Sequence, residues 1–271
     1  MENNANEMSS AVLKEALAGL PVGDLYYYDS VGSTNDIAME LSAGDAPDMT
    51  IVTAGAQVAG RGRMQRVWVT QPGSSLPMTI LIRPTETERA NLNLFSPYVG
   101  LAVHEALRED YGIESEIKWP NDVLLHRRKI SGILCEMQWG GEELRGLVLG
   151  IGVNLLHGSV PEIRDITYPA SCVEDETGTA IPRPKWIRSF IKQLIRVRPM
   201  IGRPEFFDLW ESCLAYKDER VTLTKTGGEP IPYTVRGIDR EGCLLAETAS
   251  GTVEKFIAGE ISLRAAAASR Q

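Results

Sequence analysis

Glu116-Ile117-Lys118-Trp119-Pro120-Asn121-Asp122-Val123-Leu124-Leu125-His126-Arg127-Arg128-Lys129-Ile130-Ser131-Gly132-Ile133-Leu134 alternates apolar runs with turn chemistry at close intervals. Residues 116–119 read as a strand that stops at the turn tripeptide Pro120-Asn121-Asp122. Residues 123–126 restart it, and the basic turn Arg127-Arg128-Lys129 reverses it into residues 130–138. Gly140-Gly141 then makes a hairpin into residues 143–149. β runs joined this closely predict an antiparallel meander.

Upstream, residues 11–20 have a short helical pattern, and 25–28 read as a strand. Ser33-Thr34-Asn35-Asp36 stands just before Ile37, Ala38 and Leu41, which have helical spacing, so a helix starts there. Residues 50–56 and 75–82 predict two more strands. Residues 91–111 predict an amphipathic helix with Leu94, Val99, Leu101, Val103 and Leu107 facing a core. Downstream, 186–198 and 204–215 predict helices. After Tyr216 the texture changes to five short β runs, at 220–224, 233–238, 243–247, 252–257 and 261–264. Gly227-Gly228, Glu241-Gly242 and Ser250-Gly251 separate them. This spacing predicts a small β barrel. The alanine run 265–268 reads as a fraying tail.

The chain has 271 residues, 43% of them hydrophobic and 24% charged, which suits one large domain plus a small one. Residues 1–10 are polar and acidic, read as disordered, and match neither a signal nor a transit peptide. No apolar run approaches the ~20 residues that span a bilayer, so no membrane association is expected. Cys135, Cys172, Cys213 and Cys243 form no CxxC pair, which argues for a reducing cytoplasm and against a zinc site. His104, His126 and His157 are scattered and read as surface or satisfied histidines.

The net charge is -8, yet Gly60-Arg61-Gly62-Arg63-Met64-Gln65-Arg66-Val67-Trp68 gathers three cations and an indole. In an acidic chain such a cluster suits a small anion better than a nucleic-acid backbone. Arginine forks and backbone N–H groups grip phosphate or carboxylate oxygens. A solvated basic turn fits the segment equally well.

Four other segments carry chemistry of their own. Ser33-Thr34-Asn35 suits a neutral polar ligand head, or simply a helix cap. Lys118-Trp119-Pro120-Asn121-Asp122 presents polar groups at a strand end, or is a surface turn. Lys129 stands where a basic turn enters a buried strand, so its ammonium reaches a pocket mouth while its stem packs on apolar walls; the alternative is an exposed turn lysine. Gly132 within that strand suggests close approach of a ligand or another backbone. In Gly150-Ile151-Gly152-Val153-Asn154 the alternate glycines clear one face for a flat group, and Asn154 has the donor and acceptor to pair an adenine edge. A bulged strand is the other reading.

Taken in order, these pieces resemble the catalytic domain of bacterial biotin–protein ligases, of the monofunctional type. The matching segments are STN at Ser33, Gln57 ahead of GRGRMQRVW, KWPND at Lys118, RKISGIL at Arg128 and GIGVN at Gly150. Gly259-Glu260-Ile261-Ser262-Leu263-Arg264 resembles the end of that family's C-terminal SH3-like barrel. Family members often carry Arg-Gly where this chain has Met64-Gln65. Regulatory members add an N-terminal helix-turn-helix, and only a short lead precedes Ser33 here, so DNA binding is not implied.

The resemblance implies an α+β fold, with a mixed or antiparallel sheet flanked by helices plus the barrel. It divides the chain into a lead at 1–20, a catalytic domain at 21–215 and a barrel at 216–268. It implies that ATP, with Mg²⁺, activates biotin as biotinyl-5′-AMP, and that the acyl group passes to a lysine of a biotin carboxyl carrier protein. That carrier belongs to acetyl-CoA carboxylase or another biotin-dependent carboxylase.

By the same resemblance, Lys129 meets the biotin carboxylate and α-phosphate. Arg63 and Arg61 close over the adenylate, with Gly60 and Gly62 letting the loop order and Arg66 on the nucleotide side. Ser33, Thr34 and Gln57 hydrogen-bond the ureido ring, while Asn35 and Gly132 complete that wall. Trp68 stacks near adenine and Asn154 binds its edge. Asp122 orients or deprotonates the incoming lysine, or helps hold Mg²⁺. The alternatives are a lipoate–protein ligase with a related pocket lysine and a non-catalytic biotin or adenylate sensor. Oligomeric state is left open, because an exposed sheet edge serves either a homodimer or carrier docking.

Overall fold

The computed structural model describes residues 6–161, 168–225, 228–258 and 261–265. The expected disorder of 1–5, Gly227 of the barrel turn, Gly259-Glu260 of the tail motif and the alanines at 266–268 lie outside these residues.

The elements in chain order are α1 (Ser10–Ala16), β1 (Leu25–Val31), α2 (Thr34–Ala43), β2 (Thr50–Gln57), β3 (Ser75–Ile82), α3 (Glu86–Arg89) and α4 (Phe95–Tyr111). The meander follows as β4 (Glu116–Lys118), β5 (Asp122–Leu125), β6 (Arg128–Gly140) and β7 (Glu143–Asn154). Then come α5 (Val173–Thr177), α6 (Arg183–Val197), α7 (Pro204–Ser212), β8 (Arg220–Lys225), β9 (Pro230–Ile238), β10 (Leu244–Glu247), β11 (Val253–Phe256) and β12 (Ile261–Ala265).

The first seven strands form one mixed sheet in the order β1-β2-β3-β7-β6-β5-β4. Only β1 and β2 run parallel; the other neighbours are antiparallel. The last five strands form a second, antiparallel sheet in the order β11-β10-β9-β8-β12. The Glu116-to-Leu149 meander is therefore as the sequence pattern predicts, and the α+β architecture is as the resemblance implies. β7 keeps an unbroken register with β3 through Gly150 and Gly152, so the bulged reading of that segment does not hold.

Two expectations need correction. Residues 91–111 do not form one helix: a 3-10 turn covers Leu92–Leu94 and α4 begins at Phe95. Pro97 lies in the first turn of α4, where no backbone N–H is needed for an intrahelical bond. The five core positions named from periodicity are all at most 1% exposed, and each large apolar chain so buried contributes roughly 1.5–3 kcal/mol. Residues 6–9 are not disordered. Asn6 donates to the Gly73 carbonyl at 2.5 Å and receives the Arg183 guanidinium at 3.2 Å, while Met8 is buried. Ser9 caps α1, whose Leu13 joins the main core.

α4 covers one face of the sheet and packs against α6, with the Tyr98 hydroxyl donating to the Leu194 carbonyl at 2.9 Å. Gly112, at φ 66, ends α4 in the left-handed conformation. α2 lies on the sheet through Ala38, against Val52, Leu81 and Val148. Among the described residues no helix is long and apolar enough to cross a membrane. None of the four cysteines is in a disulfide. His104 is buried against Ser115 at 3.1 Å, and His126 and His157 are exposed beside Glu176 and Asp175.

Candidate active site

A cavity of about 440 Å³ opens where β6 and β7 meet the Gly60-to-Trp68 loop. That volume falls in the range of roughly 300–1,000 Å³ that suits a small organic ligand. Every site residue named from the sequence except Gly60 lines it, and Gly60 packs against Trp68 and Gln57, which do.

The floor is made by missing side chains. Gly132 of β6 and Gly152 of β7 are directly paired across the two strands. The Trp68 indole lies on them: a Cβ at Gly152 would stand 2.1 Å from Trp68 Cε2. The slot foreseen for a flat group thus holds the chain's own indole. Its Nε1 is buried without a partner. Gly150, two pairs further along, is covered by the Asn35 carboxamide, whose Oδ1 would be 2.2 Å from a Cβ there.

One end of the cavity is neutral and hydrogen-bonded. Ser33 holds the N-cap position of α2 in extended conformation, but its side chain makes no cap bond. Thr34 donates both its backbone N–H, at 2.7 Å, and its hydroxyl, at 2.9 Å, to Gln57 Oε1. The Thr79 hydroxyl sits 2.8 Å from the Thr34 hydroxyl and 2.7 Å from Asn35 Oδ1. Asn35 donates its amide to Glu136 at 2.7 Å, which fixes Oδ1 toward Thr79. Two hydroxyl protons serve three contacts, so the network is one donor short. Gln57 has spent its oxygen and keeps its amide donors.

The other end is cationic. Lys129 enters from the start of β6. Its backbone is clamped on both sides, opposite Leu124 in β5 and bonded to Pro169 and Ser171. Its ammonium lies 2.7 Å from Asp122 Oδ1 and 5.5 Å from the Trp68 ring. Lys118 approaches the other oxygen of Asp122 at 3.4 Å and stands 4.7 Å from the centre of the Tyr168 ring. Burial alone would raise the Asp122 carboxyl, but Lys129 and Lys118 outweigh it and hold the group below the usual carboxylate value. Burial pushes Lys118 down, resisted by Asp122 and reinforced by Lys129 and Arg264.

The arginine loop is a small hairpin closed by a bridge between Arg61 and Val67. Gly60 is required by close approach, because a Cβ there would lie 2.4 Å from the Trp68 carbonyl oxygen. At the tip Met64 and Gln65 both have left-handed φ, 55 and 59. Arg63 reaches inward and donates to Asn121 Oδ1 at 3.1 Å. Burial pushes its guanidinium down from its ordinary value, with Asp122 opposing and Arg66 adding to the push. Arg61 turns outward instead, paired with Asp36 at 2.5 Å and with Glu136 at 3.3 Å. Arg66 is exposed. Asn154 donates to the Ser171 carbonyl at 3.1 Å, so it also secures the segment that clamps Lys129.

Asp122 is the only carboxylate among the described residues that line the cavity. With an ammonium near each oxygen it does not suit a divalent cation, so the described residues that line the cavity build no Mg²⁺ site. Sequence reasoning assigned no role to Thr79, Asn121, Glu136, Lys118, Tyr168 or Arg264. Lys118, Asn121 and Arg264 stood inside quoted motifs, and Thr79 is the one hydroxyl inside an apolar strand. Nothing local marks Tyr168 or Glu136.

Residues 27–154 match the model of the biotin/lipoate A/B protein ligase family, and residues 218–264 match the biotin protein ligase C terminal domain. The bifunctional ligase/repressor BirA of Bacillus subtilis is 34% identical over 245 residues, which are 88% of this chain and 74% of that protein. The chain belongs to the biotin/lipoate A/B protein ligase family. A further relative of this ligase is the biotin–[acetyl-CoA-carboxylase] ligase of Paracoccus denitrificans, 30% identical over 81% of this chain and 92% of that one. Among solved structures, the biotin protein ligase of Aquifex aeolicus in complex with biotin and ATP superposes on this ligase with a TM-score of 0.76. It is 30% identical and covers 90% of this chain and 99% of that one.

Proposed function

We propose that this ligase uses ATP to convert biotin to biotinyl-5′-AMP and then transfers the biotinyl group to a lysine of a biotin carboxyl carrier protein. The observation that carries the reading is the division of one cavity into a neutral, donor-short end and a cationic end, with Trp68 between them. The Thr34–Gln57 end suits the ureido ring, whose carbonyl accepts and whose N–H groups donate. The Lys129–Arg63 end suits two anions that repel each other. A carboxylate oxygen and a phosphate oxygen at ~4 Å repel by roughly 4 kcal/mol at an effective dielectric of 20, and fixed cations offset this.

In the first step the biotin carboxylate oxygen attacks the α-phosphorus and pyrophosphate leaves. Lys129 moves from Asp122 to the acyl phosphate oxygens, and Arg63 neutralises charge on the phosphoryl group. Trp68 carries adenine on its free face. In the second step the carrier amine attacks the acyl carbon, AMP leaves with the bonding pair, and Asp122 Oδ1 takes the amine proton.

The carrier meets the cavity mouth. β5 pairs with β6 only as far as Gly132, so from Leu134 to Gly140 β6 has no second neighbouring strand among the described residues. Met137 and Trp139 are exposed there, which supports a homodimer or a docked carrier strand on this edge. Four cysteines, none of them in a disulfide, support work in a reducing compartment, the cytoplasm. The test is biotin-dependent exchange of labelled pyrophosphate into ATP, with lipoate as control. Exchange with biotin alone is expected; none with biotin, or equal exchange with lipoate, overturns the reading.

A further inference from the structure

Lys118 has no part in the chemistry described so far, yet it is 5% exposed and nothing apolar explains it. A buried ammonium is costly unless paired. Its pairing is with Asp122 Oδ2 on one side and the Tyr168 face on the other. Tyr168 is fixed in turn by a hydroxyl contact with Tyr216, and the Arg127 guanidinium covers Tyr216 at 4.5 Å. Arg127 is tied to Glu219 at 2.5 Å, at the entrance to the second sheet. Lys118 is therefore held from behind, whereas Lys129 comes from a cavity wall and is a quarter exposed.

This asymmetry matters when substrate arrives. As Lys129 turns to the acyl phosphate, Asp122 loses its nearer partner at 2.7 Å. Left alone in a buried position it would take up a proton, and a protonated carboxyl cannot accept another from the carrier amine. We propose that Lys118 is a positioning residue, which keeps Asp122 ionised and fixes Oδ2 so that Oδ1 faces the incoming amine once Lys129 has left. This rests on the adenylation-and-transfer reading above. The charged and titratable groups around Asp122 are Lys118 from β4, Lys129 from β6, Arg63 from the loop, Arg264 from β12 and Tyr168. Of these, Lys118 and Lys129 bond the carboxylate directly, and Lys118 is the more deeply buried of the two, so it stays beside Asp122 when Lys129 turns away.

The experiment separates the half-reactions. Preformed biotinyl-5′-AMP and carrier domain are mixed with wild type, Lys118→Met, Lys118→Gln and Lys118→Arg, and the transfer rate is followed against pH. An opposite charge at this range lowers a carboxyl by about 1–3 pH units, so the acid limb is expected to move up by at least about one unit in Lys118→Met and Lys118→Gln. Lys118→Arg keeps the charge and is expected to restore the wild-type limb. A purely structural lysine would lower the rate at every pH and leave the limb in place; that result overturns the proposal. Should Lys118→Met fold poorly, Lys118→Gln gives the same readout, and carbon-13 titration of the Asp122 carboxyl in the wild-type adenylate complex gives another. An Asp122 carboxyl there that titrates at or above its ordinary value also overturns it. Wild type that performs pyrophosphate exchange while the variants' limbs stay put refutes Lys118 alone; wild type without exchange refutes the parent reading.

Discussion

Gly152→Ala changes one hydrogen to a methyl group and should cripple nucleotide binding while sparing the fold. The added carbon would stand 2.1 Å from Trp68 Cε2, 2.3 Å from Cζ2 and 2.5 Å from Nε1. Ordinary carbon contact is about 4 Å, so the indole must retreat by well over ~1 Å. β7 cannot yield, because Gly152 is paired on both sides, with Pro77 in β3 and Gly132 in β6. The Trp68 side of the contact belongs to a loop at the cavity wall, and it moves. Overpacking a closed core costs roughly 1–3 kcal/mol; with the indole free to swing, less than about 1 kcal/mol of fold stability is expected to be lost. The ligand side loses its stacking platform, worth roughly 1–3 kcal/mol per base, so KM for ATP should rise about 5- to 150-fold. Pyrophosphate exchange at saturating biotin measures it, and urea unfolding checks the fold. Gly132→Ala is the graded control. Its nearest contacts are Lys129 Nζ at 2.9 Å and Trp68 Cζ3 at 3.0 Å, and the lysine end can shift. A KM for ATP within twofold of wild type in folded Gly152→Ala would refute the stacking argument.

Lys129→Ala should reduce pyrophosphate exchange by at least about 100-fold, the scale of a lost charge-stabilising donor, with urea unfolding little changed; near-normal exchange would remove Lys129 from the site. Gln65→Gly relieves one of two consecutive left-handed residues at the loop tip, each costing a non-glycine residue roughly 1–2 kcal/mol. It should therefore lengthen retention of the adenylate severalfold, read as release of labelled intermediate, and unchanged or faster release counts against a strained tip. Asp122 has a folded-state value below its ordinary 3.8, so its stabilising contribution is complete above that value and is lost as pH falls through the lower, folded one. The stability gap between wild type and Asp122→Asn should accordingly stay constant from about pH 8 to 5 and close below about pH 4; a gap that widens on acidification would show the sign to be wrong.

How much of this was legible in the chain depends on the range over which each feature is encoded. The meander from Glu116 to Leu149 was readable because its turns are local and each strand pairs with the next. The parallel pairing of β1 with β2, and the insertion of β7 between β3 and β6, were not, since such contacts join segments far apart in sequence. The break before α4 was missed because apolar spacing continues through Leu92 and Leu94 while the backbone tightens. In the site, the ordered motifs named Ser33, Gln57, Lys129 and Asn154, which line one cavity. Spacing could not tell that Arg61 turns outward, because its partners Asp36 and Glu136 come from separate elements. Nor could it anticipate Tyr168, whose position is set by Tyr216 across the fold.

The lopsided lining has an implication for discrimination. Arg63, Arg66, Lys118, Lys129 and Arg264 look into a hollow that, among the described residues, offers Asp122 as its sole counterweight. Attraction of that kind is blind: it draws in any phosphorylated or carboxylated metabolite nearly alike and fades with added salt. Telling the right guest from the crowd therefore falls to the uncharged groups, the indole and the Thr34–Gln57–Thr79 relay. Substitutions among them should broaden what enters more than they weaken how firmly it is held.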